Sequence, residues 1–166
     1  MSSEQKGAAK LTDTMIIRLL RRAAKPGLVE NNTALIDFVK AVLPALMEKF
    51  LKKIVVFVRH AKRKTIVKRD IELLMEVEGI AYEHLVTRTF IPKTSFRALM
   101  RECYFFVDAD PLKISGTALA LLGRVFETQL SMHLEKSKSY IDDGRKTLRY
   151  DHVVKQFEQL RKCAAL

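Results

Sequence analysis

Two short stretches of the sequence place an arginine, a lysine and a threonine side by side in the same order. The first is Arg63–Thr65, in the run HAKRKT, and the second is Arg145–Thr147, in the run DDGRKT. A guanidinium, an ammonium, a hydroxyl and neighbouring backbone amides are the groups that hold phosphate oxygens without reading bases. Each stretch follows a long apolar-periodic segment, so the sequence predicts two phosphate-binding loops at the ends of helices.

The net charge of the 166-residue chain indicates a polyanionic partner. There are 30 lysines and arginines against 19 aspartates and glutamates, a formal charge of +11, and the excess is spread over both halves. Such a balance is typical of proteins that bind DNA, RNA or an anionic membrane. In a helical RNA binder or a membrane-surface protein the basic residues should gather on one helix face, and they do not do so here.

The sequence contains no pattern of a catalytic or metal site. Cys103 and Cys163 lie far apart and are predicted to be structural thiols in a reducing compartment. The paired aspartates at 108/110 and 142/143 suit turns and lack the partners of an acid–base or metal site. We therefore predict no enzyme activity, cofactor, metal or small-molecule substrate. With no signal peptide and no membrane-spanning run, we expect an intracellular protein that does not enter a membrane.

Helical periodicity dominates the chain and occurs twice in the same layout. In each half a short amphipathic helix, a loop, a long helix, a basic loop and a closing short helix follow one another. Pro44 lies inside the first long helix and should kink or split it. The predicted helices cover residues 12–24, 33–60, 68–79, 94–103, 115–141 and 149–163.

The two halves are offset by 82 residues, the separation of Arg63 from Arg145. A period of that length is too long for a solenoid and suits a duplicated small domain. The long helices carry apolar residues on more than one face, so one copy alone leaves an apolar stripe uncovered. Two copies crossing head to tail would cover one another, which predicts an all-α fold.

The layout resembles the histone fold, in which two three-helix units clasp in an antiparallel handshake. The first half is similar to histone four, with Arg21 and Arg22 ending its first helix, HAKRKT ending its long helix and Asp70 opening the next. The second half is similar to histone three, with IPKTSFRALMRE at its first helix and LKIS at its first basic loop. Together they resemble a histone doublet, a fused pair of the kind found in giant viruses and some archaea.

This resemblance covers about residues 12 to 162 and implies a domain organisation. It implies two tandem histone folds, each a short, a long and a short helix, paired within the chain in an antiparallel handshake. The predicted segments are a short N-terminal tail (1–11), a histone four-like fold (12–79), a connector (80–93) and a histone three-like fold (94–166).

A handshake would bring the first loop of each half beside the second loop of the other. Lys25 would then meet Arg145–Thr147, Lys113 would meet Arg63–Thr65, and the N-termini of the two first helices would supply a third phosphate site. Arg63 and Asp70, seven residues apart, are expected to form the structural clamp of the family. The predicted DNA-binding residues are Arg18, Arg21, Arg22, Lys25, Arg63, Lys64, Thr65, Arg97, Arg101, Lys113, Arg145, Lys146 and Thr147.

The chain departs from the family pattern at its loops. Arg145 and Asp151 are six residues apart, one fewer than the clamp requires. The first loop of the first half, KPGLVENN, lacks the arginine that histone four inserts into the DNA minor groove. Lys113 stands where histone three has an arginine.

The function implied by the resemblance is that of a DNA-packaging core histone doublet. Such a protein would bend double-stranded DNA through phosphate contacts and assemble with itself and a second histone doublet into a nucleosome-like particle. Its location would be the chromatin of a nucleus or viral factory, or the virion. Two alternatives stay open: an outer-type doublet similar to histones two-B and two-A, and a histone-fold protein-interaction module of a transcription complex.

Overall fold

The computed structural model describes residues 11–104, 107, 112–142 and 146–164, the side chains beyond 160 excepted. Six α-helices and four very short strands are found along these residues. The helices are α1 (Asp13–Ala24), α2 (Thr33–His60), α3 (Lys68–Glu78), α4 (Lys93–Tyr104), α5 (Gly116–Lys136) and α6 (Tyr150–Ala164), with single 3₁₀ turns at Tyr82–His84 and Ser137–Tyr140. The strands are β1 (Leu28–Val29), β2 (Thr65–Ile66), β3 (Lys113–Ile114) and β4 (Thr147–Leu148).

Hydroxyl side chains cap the N-termini of α1 and α5. Thr12 Oγ1 accepts a hydrogen bond from the N–H of Met15 at 3.3 Å. Ser115 Oγ accepts one from the N–H of Ala118 at 3.2 Å. Each oxygen satisfies one of the N–H groups that have no partner within the first turn of a helix.

The long helix α2 continues through Pro44, so the alternative of two separate helices is wrong. Proline removes one N–H and therefore one intrahelical hydrogen bond. Leu43 and Met47, on either side of Pro44, are fully buried, and their packing stabilises the helix across that gap. The carbonyl of Pro44 accepts a hydrogen bond from Cys103 Sγ at 3.6 Å.

The second long helix is shorter than the predicted segment 115–141, because α5 ends at Lys136. Serines follow it and bond back to its last carbonyl groups. Ser137 Oγ donates to the carbonyl of His133 at 3.2 Å, and Ser139 Oγ donates to the carbonyl of Lys136 at 2.8 Å. Such local bonds compete with the regular helical pattern, and the chain tightens into a 3₁₀ turn.

The chain forms two compact units, and each is built from both halves of the sequence. The central unit is built on Leu43–Thr128, and the terminal unit consists of Thr12–Val42 with Gln129–Leu166. The central unit thus contains most of α2 with α3, α4 and the first part of α5. The terminal unit contains α1 and the start of α2 with the end of α5 and α6. The all-α prediction is confirmed, and neither unit is a half of the chain folded alone.

Aromatic side chains lie in the core of each unit. In the central unit Phe126 packs edge-on against Phe50 and Phe96, with ring centroids 6.3 and 5.5 Å apart. In the terminal unit the ring centroid of Phe38 is 5.9 Å from those of both Tyr150 and Phe157. Because each cluster joins residues from before and after the connector, folding of either unit requires both halves of the chain.

The connector between the halves is held by side chains of α5. Glu127, which is 1% exposed, accepts hydrogen bonds from the N–H groups of Phe90 at 2.9 Å and Ile91 at 3.1 Å. Thr128 Oγ1 accepts one from the N–H of Val86 at 3.0 Å. These bonds give the backbone just before α4 a defined course within the central unit.

Candidate nucleic-acid interface

A pair of parallel strands joins the two halves in the central unit; we call β2 and β3 the central bridge. Thr65 lies opposite Lys113, and Ile66 lies opposite Ile114. The N–H of Lys113 donates to the carbonyl of Lys64 at 3.1 Å. Ile66 is buried, whereas both lysines are exposed. Two ammonium groups and a hydroxyl are therefore carried by one hydrogen-bonded segment of backbone.

Arg63 and Asp70 fix the loop that leads into this bridge. The two terminal nitrogens of Arg63 donate to the two carboxylate oxygens of Asp70 at 2.8 and 2.6 Å. Arg63 also donates to the carbonyl of Thr65 at 3.0 Å, and the N–H of Val67 donates to Asp70 at 2.8 Å. The guanidinium thus holds the loop in shape, and the exposed lysine beside it stays available for a ligand.

The environment of Arg63 and Asp70 favours the charged form of both side chains. Burial alone would raise the pKa of the Asp70 carboxyl, but the hydrogen bonds from Arg63 and Val67 and the charge of Arg63 together lower it below its ordinary value. The hydrogen bond to Asp70 raises the pKa of Arg63. Both groups are therefore charged over the physiological pH range, and the loop keeps one geometry there.

The end of α2 has an unusual backbone conformation. Lys62 has φ of 56°, in the left-handed region that glycine normally occupies. The N–H of Lys62 donates to the carbonyl of Arg59 at 2.9 Å, and the N–H of Arg63 donates to the carbonyl of Val58 at 3.1 Å. These two hydrogen bonds terminate the helix and turn the chain sharply into the basic loop.

The terminal unit contains a second pair of parallel strands, β1 and β4, which we call the terminal bridge. Leu28 lies opposite Thr147, and Val29 lies opposite Leu148. The N–H of Leu28 donates to the carbonyl of Lys146 at 2.7 Å. Lys146 is exposed and Thr147 is partly exposed, as Lys64 and Thr65 are in the central bridge. The two bridges are thus equivalent in connectivity and in register.

Close backbone approach at the terminal bridge requires a glycine. A Cβ atom on Gly27 would lie 2.4 Å from the carbonyl oxygen of Lys146 and 3.0 Å from that of Ala24. Lys25 is exposed, and its carbonyl accepts a hydrogen bond from Lys138 Nζ at 2.9 Å. Lys138 therefore lies beside this loop, a cation that the sequence analysis did not assign to it.

The start of α6 shows where the clamp pattern is lost. The N–H of Arg149 donates to His152 Nδ1 at 2.9 Å, as the N–H of Val67 donates to Asp70 in the central unit. His152 is 82 residues after Asp70, so the imidazole occupies the position of the clamp carboxylate. Asp151, whose spacing from Arg145 is one residue short of the clamp, is exposed on α6, and Arg145 lies outside the described residues.

Comparison with solved structures identifies the architecture. The crystal structure of a histone from Methanopyrus kandleri matches with a TM-score of 0.70 and 18% sequence identity, over 89% of this chain and 93% of that chain. The chain has a histone fold. No family profile and no curated protein sequence matches it. The predicted fold class of two paired three-helix repeats is thereby confirmed.

The arginines of α1 and α4 that were predicted to bind DNA differ in their exposure. Arg18 and Arg21 on α1, and Arg97 and Arg101 on α4, are exposed. Arg22 is instead partly buried, and its guanidinium donates to Ser131 Oγ at 3.0 Å within the terminal unit. Its position indicates a packing role, which the sequence pattern of two adjacent arginines did not distinguish.

Two further observations concern the described part of the chain. None of its helices combines the length and the apolar character that crossing a bilayer requires. Within the same residues, no three histidine, cysteine, aspartate or glutamate side chains form a group able to hold a metal ion.

Proposed function

We propose that this protein packages double-stranded DNA as a fused histone pair, histone four-like in its first half and histone three-like in its second. The observation that carries the proposal is the repetition of one anion-binding arrangement. Each unit has a parallel bridge with an exposed lysine followed by a threonine, at Lys64–Thr65 and at Lys146–Thr147. Ammonium, hydroxyl and backbone amides suit phosphate oxygens and give no base readout.

The hydrogen bonds of the basic loops distinguish cations that support a loop from cations that are exposed to a ligand. Arg63 has both terminal nitrogens on Asp70, so we propose that it supports the loop while Lys64 and Lys113 bind phosphates. Lys146 corresponds to Lys64 in the terminal bridge, and Lys25 is a further exposed lysine in the loop before β1. Arg145 remains a predicted phosphate ligand.

The first helix of each half offers a further anion site. Thr12 caps α1 and Lys93 begins α4, so the free N–H groups and the positive helix dipole end lie beside Thr14 and Thr94. The exposed arginines of the two helices add positive charge along them. We propose that these ends bind the DNA backbone, which favours sequence-tolerant binding governed by DNA deformability.

Association with further copies is a second element of the proposal. Val56 on α2 and Val77 on α3 are 62% and 57% exposed, both in the central unit. His60 is exposed at the end of α2. Burying this apolar surface against another copy, or against a second histone doublet, would extend the pair into a nucleosome-like particle associated with chromatin.

The test compares loop lysines with helix lysines of equal charge. Replacing Lys64 and Lys113 by alanine should weaken duplex DNA binding and lower the slope of log Kd against log salt by about two units, because about two phosphate contacts are lost. The control replaces the exposed Lys52 of α2 and Lys155 of α6, which removes the same charge from mid-helix positions. An unchanged slope in the loop variant, or equal changes in both variants, would refute the assignment of the basic loops as the DNA-binding site.

Nuclease digestion of the complex separates packaging from simple binding. A packaging histone protects discrete DNA lengths and constrains supercoils in a plasmid. A protein-interaction module would give neither result, and its affinity for duplex DNA would not depend on Lys64 and Lys113. A digest without any protected length would contradict the packaging role.

A further inference from the structure

The two bridges differ at one exposed position. In each bridge, the strand that comes from the first loop begins with the residue opposite the threonine of the basic loop. This residue is Lys113 in the central bridge and Leu28 in the terminal bridge. The Leu28 side chain is 68% exposed. Single exposed leucines are common and indicate nothing by themselves. Leu28, however, stands where the central bridge has a lysine, in a loop that otherwise carries cations. We infer that this position makes a different contact with the DNA that the cations bind.

The backbone around Leu28 is rigidly held. Its N–H donates to the carbonyl of Lys146 at 2.7 Å, and the N–H of Glu30 donates to the carbonyl of Leu148 at 2.9 Å. Glu30 also accepts a hydrogen bond from the N–H of Tyr150 at 3.2 Å. The side chain therefore starts from a fixed backbone, and little backbone conformational entropy is lost when a ligand buries it.

Cations lie on both sides of this leucine. Lys25 precedes it by three residues, and Lys146 is hydrogen-bonded to its backbone; both are exposed. If these lysines hold phosphates, Leu28 meets the groove between the strands, where it has no phosphate to bind. The apolar surfaces that a duplex offers there are the edges of the deoxyribose rings and, at a step that has been opened, the face of a base pair.

We propose that Leu28 is an apolar wedge that enters the minor groove of bound DNA and partly unstacks two neighbouring base pairs. The inference rests on the proposed DNA-binding function. Leucine is one of the residues that DNA-bending proteins insert between base steps, where they kink the duplex. The terminal bridge then favours flexible pyrimidine–purine steps, whereas the lysine of the central bridge has no such preference.

The experiment compares two duplexes of equal length, one fully paired and one with two adjacent central mismatches. The mismatched duplex is already unstacked at its centre, so a wedge binds it more tightly. We expect the wild-type protein to prefer it by about tenfold, because opening a paired step costs free energy that the mismatch has removed. Leu28→Ala should bring the ratio of the two Kd values to about one and leave the salt slope unchanged.

Two further variants separate the wedge from charge. Leu28→Lys, which copies the central bridge, should also lose the preference for the mismatched duplex. It should steepen the slope of log Kd against log salt by about one unit, the effect of about one added phosphate contact. Lys113→Ala should weaken binding to both duplexes equally and keep the preference. Since residues 28 and 113 are exposed, all three variants should fold, which circular dichroism checks.

The outcomes that overturn the wedge differ from those that overturn DNA binding. If wild-type and Leu28→Ala proteins have the same ratio of affinities, Leu28 is not a wedge, while a salt slope that depends on Lys64 and Lys113 still supports DNA binding. If Leu28→Ala changes the sedimentation of the free protein instead, Leu28 contacts a second copy and the wedge is refuted. Absence of salt-dependent DNA binding would refute both proposals.

Discussion

Replacing Asp70 by alanine removes the acceptor on which the central loop depends. The carboxylate is fully buried and accepts three hydrogen bonds, two from Arg63 at 2.8 and 2.6 Å and one from Val67 at 2.8 Å. Losing one partner of a buried ion pair costs about 3–5 kcal/mol. Arg63 is 35% exposed, so water compensates its guanidinium in part and reduces that term to about 1–3 kcal/mol. The lost hydrogen bond at the start of α3 adds about 1 kcal/mol.

We therefore expect Asp70→Ala to lower the free energy of unfolding by about 2–4 kcal/mol. Urea denaturation followed by circular dichroism measures it. Asp151→Ala is the matched control, because Asp151 also lies in the first turn of the third helix of its half but is exposed; its loss should be within about 0.5 kcal/mol. A loss below about 1 kcal/mol for Asp70→Ala, or equal losses for both variants, would refute the clamp.

The same pair gives the stability a dependence on acid. The folded pKa of Asp70 lies below its unfolded value, so the pair contributes its full stabilisation above the unfolded pKa, which is about 4. That contribution is lost as the pH falls through the folded pKa. Asp70→Asn should therefore show a weaker loss of stability between pH 5 and strong acid than the wild type, in urea titrations at stepwise pH.

Backbone conformation provides two further tests, both by urea denaturation. Lys62→Gly should raise the free energy of unfolding by about 1 kcal/mol, since the left-handed conformation is costly for a side-chain-bearing residue, whereas Lys64→Gly should lower it. Gly27→Ala should lower it by about 1–3 kcal/mol, because its Cβ would lie 2.4 Å from the carbonyl oxygen of Lys146. Gly116→Ala, whose Cβ meets nothing within 4 Å, should not destabilise the protein, and a loss equal to that of Gly27→Ala would contradict the steric explanation.

The sequence predicts the helical architecture well because its signals are local or periodic. The six helical segments and the repeat at 82 residues follow from residue type and spacing. The contact of Arg63 with Asp70 was implied by the resemblance to the histone fold, whose clamp has the same spacing of seven residues. The apolar width of the long helices indicated that each half needs a partner.

Contacts between distant segments were harder to predict. Glu127 carries no pattern that distinguishes an exposed helix glutamate from one that holds the connector, yet it accepts hydrogen bonds from Phe90 and Ile91. The first aspartate after Arg145 is Asp151, whereas the structure has His152 at the position equivalent to Asp70. An imidazole nitrogen accepts a hydrogen bond as a carboxylate does, and composition alone does not indicate which residue will take that role.

The participation of both halves in each compact unit has a consequence for how the protein evolves. In a symmetric dimer every substitution occurs twice, so both copies of a loop must change together. Here one chain supplies both partners, and a substitution alters one end only. Lys113 and Leu28 occupy equivalent positions in the two bridges, as Asp70 and His152 do at the two helix starts. The two bridges of the joined pair are therefore free to diverge, and each can take its own part in the proposed binding of DNA.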